Sequence, residues 1–196
     1  MVASTPANSS IDIASRALIL IGAEPITSFN DGTTESLVTS NLYEDVARTV
    51  LTNARWRFST NQAVLNLLAD APTGRYSKAY QLPEDNLMVH SITLNNNLID
   101  YQLYGDKVYA DTTQNDSVVA DYTYRANEST WPSYFTLAVT YSLAIPLAVS
   151  IARDGALANL MQQQSTLLLA KARSIDSQQQ TTRKLATSRF ITHRRG

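Results

Sequence analysis

Apolar residues recur at helical spacing near the start of the chain. A first helix is predicted to begin at Ser9 or Ser10, either of which is a good N-cap. Its buried face consists of Ile13, Ala14, Ala17, Leu18 and Ile21. Gly22 permits the left-handed turn that ends a helix, and Pro25 keeps the helix from resuming. The pattern therefore predicts a helix that stops sharply at residue 21 or 22.

A second helix is predicted over residues 34–54, after the turn signal Asp31-Gly32. The apolar positions expected on its buried stripe are Leu37, Val38, Leu42, Val46, Val50 and Leu51. Because the loop between the two helices is short, we expect the helices to be neighbours.

The hydrophobic period changes to two in the middle of the chain. Residues 63–68 have the apolar density of a short strand, and residues 87–125 alternate, most clearly where Val118, Ala120, Tyr122 and Tyr124 share one face. Turn signals stand at residues 95–97 and at Gly105. This pattern predicts an antiparallel meander, or a small sandwich, of about four short strands inserted between helices.

Two further helices are predicted after the sheet. The third begins near Trp131-Pro132. Residues 129–152 contain no charged side chain, and this stretch is long enough to span a bilayer. Hydroxyl side chains such as Thr140 and a mid-segment Pro146 favour instead a core helix kinked at the proline. The fourth helix covers residues 155–175 and is expected to close a four-helix bundle.

The last part of the chain differs in composition from the rest. Residues 174–182 include three consecutive glutamines and are predicted to be a frayed extension or linker, followed by an extended basic arm. The predicted fold is therefore α+β, a four-helix bundle with an inserted β region. Its four parts are a first helix pair at 1–54, a β region at 55–130, a second helix pair at 131–178 and the arm at 179–196.

Charge is distributed unevenly along the chain. Five of the 16 basic residues lie in residues 183–196, so the 17 acidic residues face 11 basic ones elsewhere and residues 1–182 carry a net charge of −6. An acidic body argues against ordinary binding of duplex DNA, which demands a broad basic surface. The first residues lack the pattern of a secretion signal, so we expect synthesis in a cytoplasm.

The sequence offers no candidate catalytic, cofactor or metal site. The chain has no cysteine, and its two histidines, His90 in a predicted strand and His193 in the arm, show no metal-ligand spacing. Neither a nucleophile elbow nor a glycine-rich phosphate loop occurs. The adjacent carboxylates Glu44-Asp45 and Glu84-Asp85 are predicted to be solvated, which leaves only a small carboxylate hydrolase open as an enzyme.

Two aromatic groups have a functional and a structural interpretation. Five tyrosines of the β region could form a binding face for sugars, bases or a protein, or could simply suit a half-buried sheet: Tyr101, Tyr104, Tyr109, Tyr122 and Tyr124. The run Arg55-Trp56-Arg57-Phe58 could stack on nucleic acid, or could bury its aromatic rings at a helix-to-sheet junction. We favour the structural interpretation of both groups, with a non-catalytic glycan- or protein-binding module as the alternative function.

The opening of the chain resembles the head-to-tail adaptor, or tail tubular protein A, family of short-tailed bacteriophages. The resemblance rests on Ile21-Gly22 followed closely by Glu24-Pro25, on Trp56 and Phe58 after the second helix, and on the segment AYQLPEDNLMV at residues 79–89. It extends over residues 10–175 in the order of elements, and over the first third in recognisable motifs.

This resemblance implies a structural virion protein without catalytic activity or cofactor, located at the junction of head and tail. It implies a ring of twelve copies between the portal protein and the tail nozzle protein, with tail fibres as a further candidate partner, around a channel through which DNA passes without sequence-specific binding. It also implies that the C-terminal arm docks on the portal. The candidate docking residues are Arg183, Lys184, Arg189, Phe190, Arg194 and Arg195.

Overall fold

A computed structural model describes residues 7–69, 74–113 and 117–179. The helices are α1 (Ser10–Leu20), α2 (Thr34–Thr52), α3 (Ser133–Ser150) and α4 (Gly155–Gln178). The strands are β1 (Thr60–Val64), β2 (Asn66–Leu67), β3 (Lys78–Gln81), β4 (Asn86–Leu94), β5 (Asn97–Leu98), β6 (Tyr101–Tyr104), β7 (Lys107–Ala110) and β8 (Val118–Tyr124). The chain is therefore α+β, as predicted.

Helix α1 begins and ends where the sequence indicates. The Ser9 hydroxyl accepts a hydrogen bond from the Asp12 N–H, which caps the first turn. At the other end Gly22 has a φ of +75°, and the Ala23 N–H donates to the Leu18 carbonyl at 3.0 Å, so the helix closes in a Schellman motif. All five residues predicted for its apolar face are buried, which confirms the stripe.

Helix α2 differs from its prediction on one face. It ends at Thr52, two residues early, and Leu37 is 64% exposed, while Ser36 and Thr39 occupy the buried positions. The prediction for Leu37 is wrong because the buried stripe follows small polar residues at the start of the helix, which a hydrophobic pattern does not reveal. Val50 and Leu51 are buried as predicted.

Helix α3 is the centre of the helical part. It packs against α1, α2 and α4, and its buried residues include Phe135, Val139, Leu143 and Leu147. By length and composition alone α3 could cross a membrane, but half of it is buried inside the protein, in agreement with the predicted core helix. Pro146 lies within this helix, and the kink predicted there stays a prediction.

The arrangement around α3 does not confirm a regular four-helix bundle. Helices α1 and α2 contact each other, as predicted, but each packs more extensively on α3. Helix α4 is also longer than predicted, because it continues through Gln178 and buries Asp176. Residues 174–178 are therefore an extension of α4, the first of the two predicted alternatives, and not a linker. The predicted part boundaries and the extended arm stay predictions.

The β region contains two antiparallel four-stranded sheets, which agrees with the predicted small sandwich and not with a single meander. The predicted number of about four strands is wrong. The strand orders of the two sheets are β1-β8-β4-β5 and β2-β3-β7-β6. The chain passes from the first sheet to the second through Leu65, between β1 and β2, and again through Ile99-Asp100, between β5 and β6. Crossings of one or two residues carry no turn signal, which explains why the sequence suggests fewer and longer strands.

Both predicted hairpin turns are present. Asn95 and Asn96 have φ values of 50° and 65° between β4 and β5, and Gly105 has a φ of +62° between β6 and β7. A second hydrophobic core lies between the sheets and includes Tyr80, Ile92, Val108, Val118, Ala120 and Tyr122. The alternation predicted for β8 is confirmed, since Val118, Ala120 and Tyr122 face this core.

Candidate assembly surfaces and the junction between them

An aromatic cluster joins the helices to the sheets. Trp56 lies shortly after the end of α2 and is fully buried. The centre of its ring is 5.0 Å from the centre of the Phe135 ring, and the two rings meet edge-on. The rings of Phe58 and Trp131 also contact the Phe135 ring, with distances between ring centres of 4.7 and 4.9 Å. The Trp56 Nε1–H donates to the Val50 carbonyl at 2.8 Å, so the polar edge of the indole is paired. These aromatic rings are therefore core residues, and the structure contradicts stacking of Trp56 on nucleic acid.

A polar network surrounds the end of β8 beside this cluster. The Arg125 Nη2 donates to Glu44 of α2 at 2.9 Å and to Glu128 at 2.6 Å, and the guanidinium lies 5.3 Å from the centre of the Trp131 ring. The Tyr43 hydroxyl donates to Glu128 at 3.1 Å. The Arg125 side chain thus connects the end of β8 to α2 and to Glu128, which precedes α3.

Sequence reasoning missed this network. Glu44 is predicted to be solvated, but its carboxylate accepts hydrogen bonds from Arg125 and Arg48, and the bond from Arg125 holds its pKa below the ordinary value. Burial by itself lowers the pKa of Arg125, but the bonds to Glu44 and Glu128 outweigh burial and raise that pKa. Glu44 and Arg125 are 81 residues apart, so no local pattern could pair them.

A second polar contact fixes the end of α4. The buried Asp176 carboxylate accepts hydrogen bonds from the Arg57 main-chain N–H at 3.1 Å and from the Tyr134 hydroxyl at 2.9 Å. The Arg57 Nε donates to the Asp176 carbonyl at 3.1 Å. Burial, together with the bond to Asp176, raises the pKa of Tyr134 to about 12. This contact holds the last turns of α4 against the start of α3 and the residues after α2.

The helical part also carries exposed apolar surface. A groove of about 520 Å³ lies between α1 and α3, and its lining includes Ile19, Leu20, Leu137 and Tyr141. On α4, Leu160 and Leu167 are 48% and 65% exposed. Contiguous apolar surface, such as that of the groove, is typical of sites that bind other proteins.

The tyrosines of the β region do not form one binding face. Tyr122 is buried in the core between the sheets, Tyr101 and Tyr124 pack against that core, and the Tyr124 hydroxyl donates to the Phe58 carbonyl. Tyr104 is exposed and its ring meets that of Tyr109 edge-on at 5.3 Å. The structural interpretation is confirmed for Tyr122, and only the Tyr104–Tyr109 pair presents an aromatic surface.

The remaining titratable candidates show no catalytic arrangement. His90 lies in β4, as predicted, and its Nε2 pairs with the Thr123 hydroxyl at 2.8 Å, while burial lowers the pKa of its imidazole. Asp45, Glu84 and Asp85 are exposed. Within residues 7–69, 74–113 and 117–179, no three metal-ligating side chains come together.

The order of these elements agrees with a known family. The family model for the tail tubular protein, called Tube, matches residues 12–127, which is 116 of the 196 residues. The chain belongs to the tail tubular protein family. No curated protein matches it. As a tail tubular protein, it is a structural component of a bacteriophage virion.

The family match covers one side of the junction, whereas Glu128, Trp131 and Phe135 follow the matched residues. Residues 12–127 include most of α1, all of α2 and every strand, together with Trp56, Glu44 and Arg125. Helices α3 and α4 follow the matched region. The groove and the exposed face of α4 therefore involve elements outside the match.

The six residues predicted to dock on the portal cannot be placed in this tail tubular protein. Arg183, Lys184, Arg189, Phe190, Arg194 and Arg195 lie outside the described residues, as does His193. Their docking role stays a prediction.

Proposed function

We propose that this tail tubular protein is the head-to-tail adaptor, which forms a ring between the portal protein and the tail nozzle protein of its virion. The family match over residues 12–127 carries the proposal. The ring has twelve copies and lines the channel by which DNA leaves the head, and tail fibres are further candidate partners.

The packing of the helical part supports this role. Gly22 ends α1 by a defined hydrogen-bonded turn, and the Ser15 hydroxyl donates to the Ile26 carbonyl, so the loop after the helix is held against it. Helices α1, α2 and α4 all pack on α3. A unit fixed in this way can repeat around an axis without losing its shape.

The charge of the chain supports a channel wall. Residues 1–182 carry a net charge of −6, and an acidic wall would repel phosphates and let DNA slide, whereas a basic wall would hold them. A strongly positive electrostatic potential on the lumen of the assembled ring would contradict this part of the proposal.

The C-terminal arm is proposed to dock on the portal. Residues 183–196 carry five basic side chains and no acidic one, together with Phe190, so they can bind an acidic groove with an aromatic anchor. The test is co-purification of the portal protein with the full chain and with a chain that lacks residues 183–196. We expect portal binding only with the full chain, at unchanged stability of both. Equal binding by the two chains would contradict the role of the arm.

A second candidate function is binding of glycan or protein by the β region. The exposed Tyr104, whose ring contacts that of the half-buried Tyr109, favours it, since such rings can stack on a sugar. Tyr104→Ala is the suitable probe, whereas Tyr122→Ala would disturb the core. Saturable glycan binding by the isolated chain that is lost in Tyr104→Ala would establish this function.

A further inference from the structure

The groove between α1 and α3 is an open apolar surface. Ile19 and Leu137 are 58% and 46% exposed on its sides, and Trp131 contributes to its lining. Among the described residues that line it, Arg16 alone is charged. A partner that covers this aliphatic surface removes it from water, which is favourable. The groove is thus suited to an uncharged, apolar occupant.

Helix α4 presents a matching surface on its outer face. Residues 155–170 contain no charged side chain, although many of them are exposed. Leu160 and Leu167 are seven residues apart, which places them on one side of the helix about 10 Å from each other. We call this side, with its two leucines, the α4 ridge.

The exposed side of helix α2 differs in composition from that of α4. Its exposed and half-buried positions include Glu44, Asp45 and Arg48 within five residues. A face that stays in water normally carries such charges, whereas the centre of a protein interface is depleted of them. The uncharged α4 ridge therefore has the composition of an interface.

We propose that the α4 ridge of one copy inserts into the groove between α1 and α3 of the next copy. Leu160 and Leu167 can contact the aliphatic side chains of the groove, and Gln163 and Gln164, which lie between them on the exposed side of α4, can hydrogen-bond to groove hydroxyls such as that of Ser133. A helix face with two leucines is a small enough occupant for a groove of about 520 Å³. The occupant is thus a second copy of this chain.

The placement of the two surfaces determines the kind of assembly. The ridge lies on α4 and the groove on α1 and α3, and α1 and α4 pack on α3 rather than extensively on each other. A contact of ridge with groove leaves one free ridge and one free groove at the ends, so it adds copies until the chain of contacts closes. A two-fold dimer that pairs ridge with ridge would leave both grooves open, and a reciprocal dimer, in which each ridge enters the other copy's groove, would stop at two copies. This inference rests on the proposed ring and supplies its contact between neighbours.

The test uses disulfide formation, because the natural chain has no cysteine. The double variant Ile19→Cys/Leu167→Cys has one thiol at the groove and one on the ridge. After oxidation we expect a ladder of covalent dimers, trimers and larger species. A 1:1 mixture of Ile19→Cys and Leu167→Cys should give only mixed dimers. The matched control is Ile19→Cys/Leu37→Cys, since Leu37 of α2 is as exposed as Leu167, and its yield should be at least tenfold lower.

The oxidation is carried out on the full chain alone and on the chain co-expressed with the portal protein. Efficient dimers from Leu167→Cys by itself would show a ridge-to-ridge contact and overturn the inference, as would the absence of a ladder in both samples. A ladder without portal binding would overturn the adaptor role and leave this contact intact. A portal-bound ring without the ladder would overturn this contact and leave the adaptor role intact.

Discussion

The junction around Trp56 and the outer surfaces of α1, α3 and α4 use apolar side chains in opposite ways. At the junction the rings of Trp56, Phe58, Trp131 and Phe135 are packed together, and the Trp indole N–H groups and the Arg125 guanidinium are paired. On the outer surfaces Ile19, Leu137, Leu160 and Leu167 face solvent with few charges beside them. We infer that the junction stabilises one copy, and we propose that the outer surfaces serve contacts between copies.

The largest effect is expected from removal of the central ring of the junction. Trp56→Ala should lower the free energy of unfolding by about 3–5 kcal/mol, because it leaves a cavity among aromatic rings and removes the indole hydrogen bond to the Val50 carbonyl. Denaturant titration at a fixed chain concentration measures this change. Trp56→Phe is the control and should cost less, since it keeps a ring. A cost below about 1 kcal/mol for Trp56→Ala would show that the junction does not hold the fold.

Charge on the α4 ridge should affect assembly and leave the fold unchanged. Leu160→Arg/Leu167→Arg is expected to weaken self-association at least 100-fold, about 2.7 kcal/mol, with the free energy of unfolding of the single copy within about 0.5 kcal/mol of the natural chain. Sedimentation velocity over a concentration series measures the association. Leu37→Arg on α2 is the matched control and should associate normally. An equal loss of self-association in both variants would show that the effect of the added charge is not specific to α4.

The Asp176 contact should affect stability to a moderate extent. Asp176→Ala leaves the Arg57 N–H and the Tyr134 hydroxyl without their acceptor in a buried place, so we expect a loss of about 1–3 kcal/mol in the free energy of unfolding. Tyr134→Phe removes one of these bonds and should cost less. If Asp176→Ala were neutral while hydrogen exchange at the end of α4 stayed slow, the contact would not fix that helix.

The smallest effect concerns the pH dependence of the Glu44–Arg125 bond. The folded pKa of Glu44 lies below its unfolded value, so the bond stabilises the fold above about pH 4.3 and this stabilisation is lost as pH falls through the folded pKa. Glu44→Gln should therefore cost less than about 1 kcal/mol at pH 7 and nothing in strong acid. A difference between Glu44→Gln and the natural chain that grew with acid would contradict this assignment.

Much of the fold follows from local sequence rules. The stripe of α1, its end at Gly22 and the hairpin turns at Asn95 and Gly105 all depend on residues close together in the chain. The stripe of α2 is less predictable, since Ser36 and Thr39 are buried and Leu37 is exposed. The end of α4 is also missed, because the bonds that hold it come from Arg57 and Tyr134, far away in sequence.

The candidate surfaces depend even more on long-range packing. Composition shows that residues 155–170 are uncharged, but only the packing of α4 on α3 reveals that Leu160 and Leu167 point outward. The groove requires α1 and α3, which are more than 110 residues apart in the chain, to lie side by side. The division of the strands into two sheets likewise depends on the passage through Leu65, which has no local signature.

The most direct test of the adaptor role is electron microscopy of the chain co-expressed with the portal protein of its own phage. We predict a closed ring of this chain, coaxial with the portal, in which α4 of each copy lies in the groove between α1 and α3 of its neighbour. Single copies scattered on the portal, or the absence of any complex with the full chain, would contradict the proposed function.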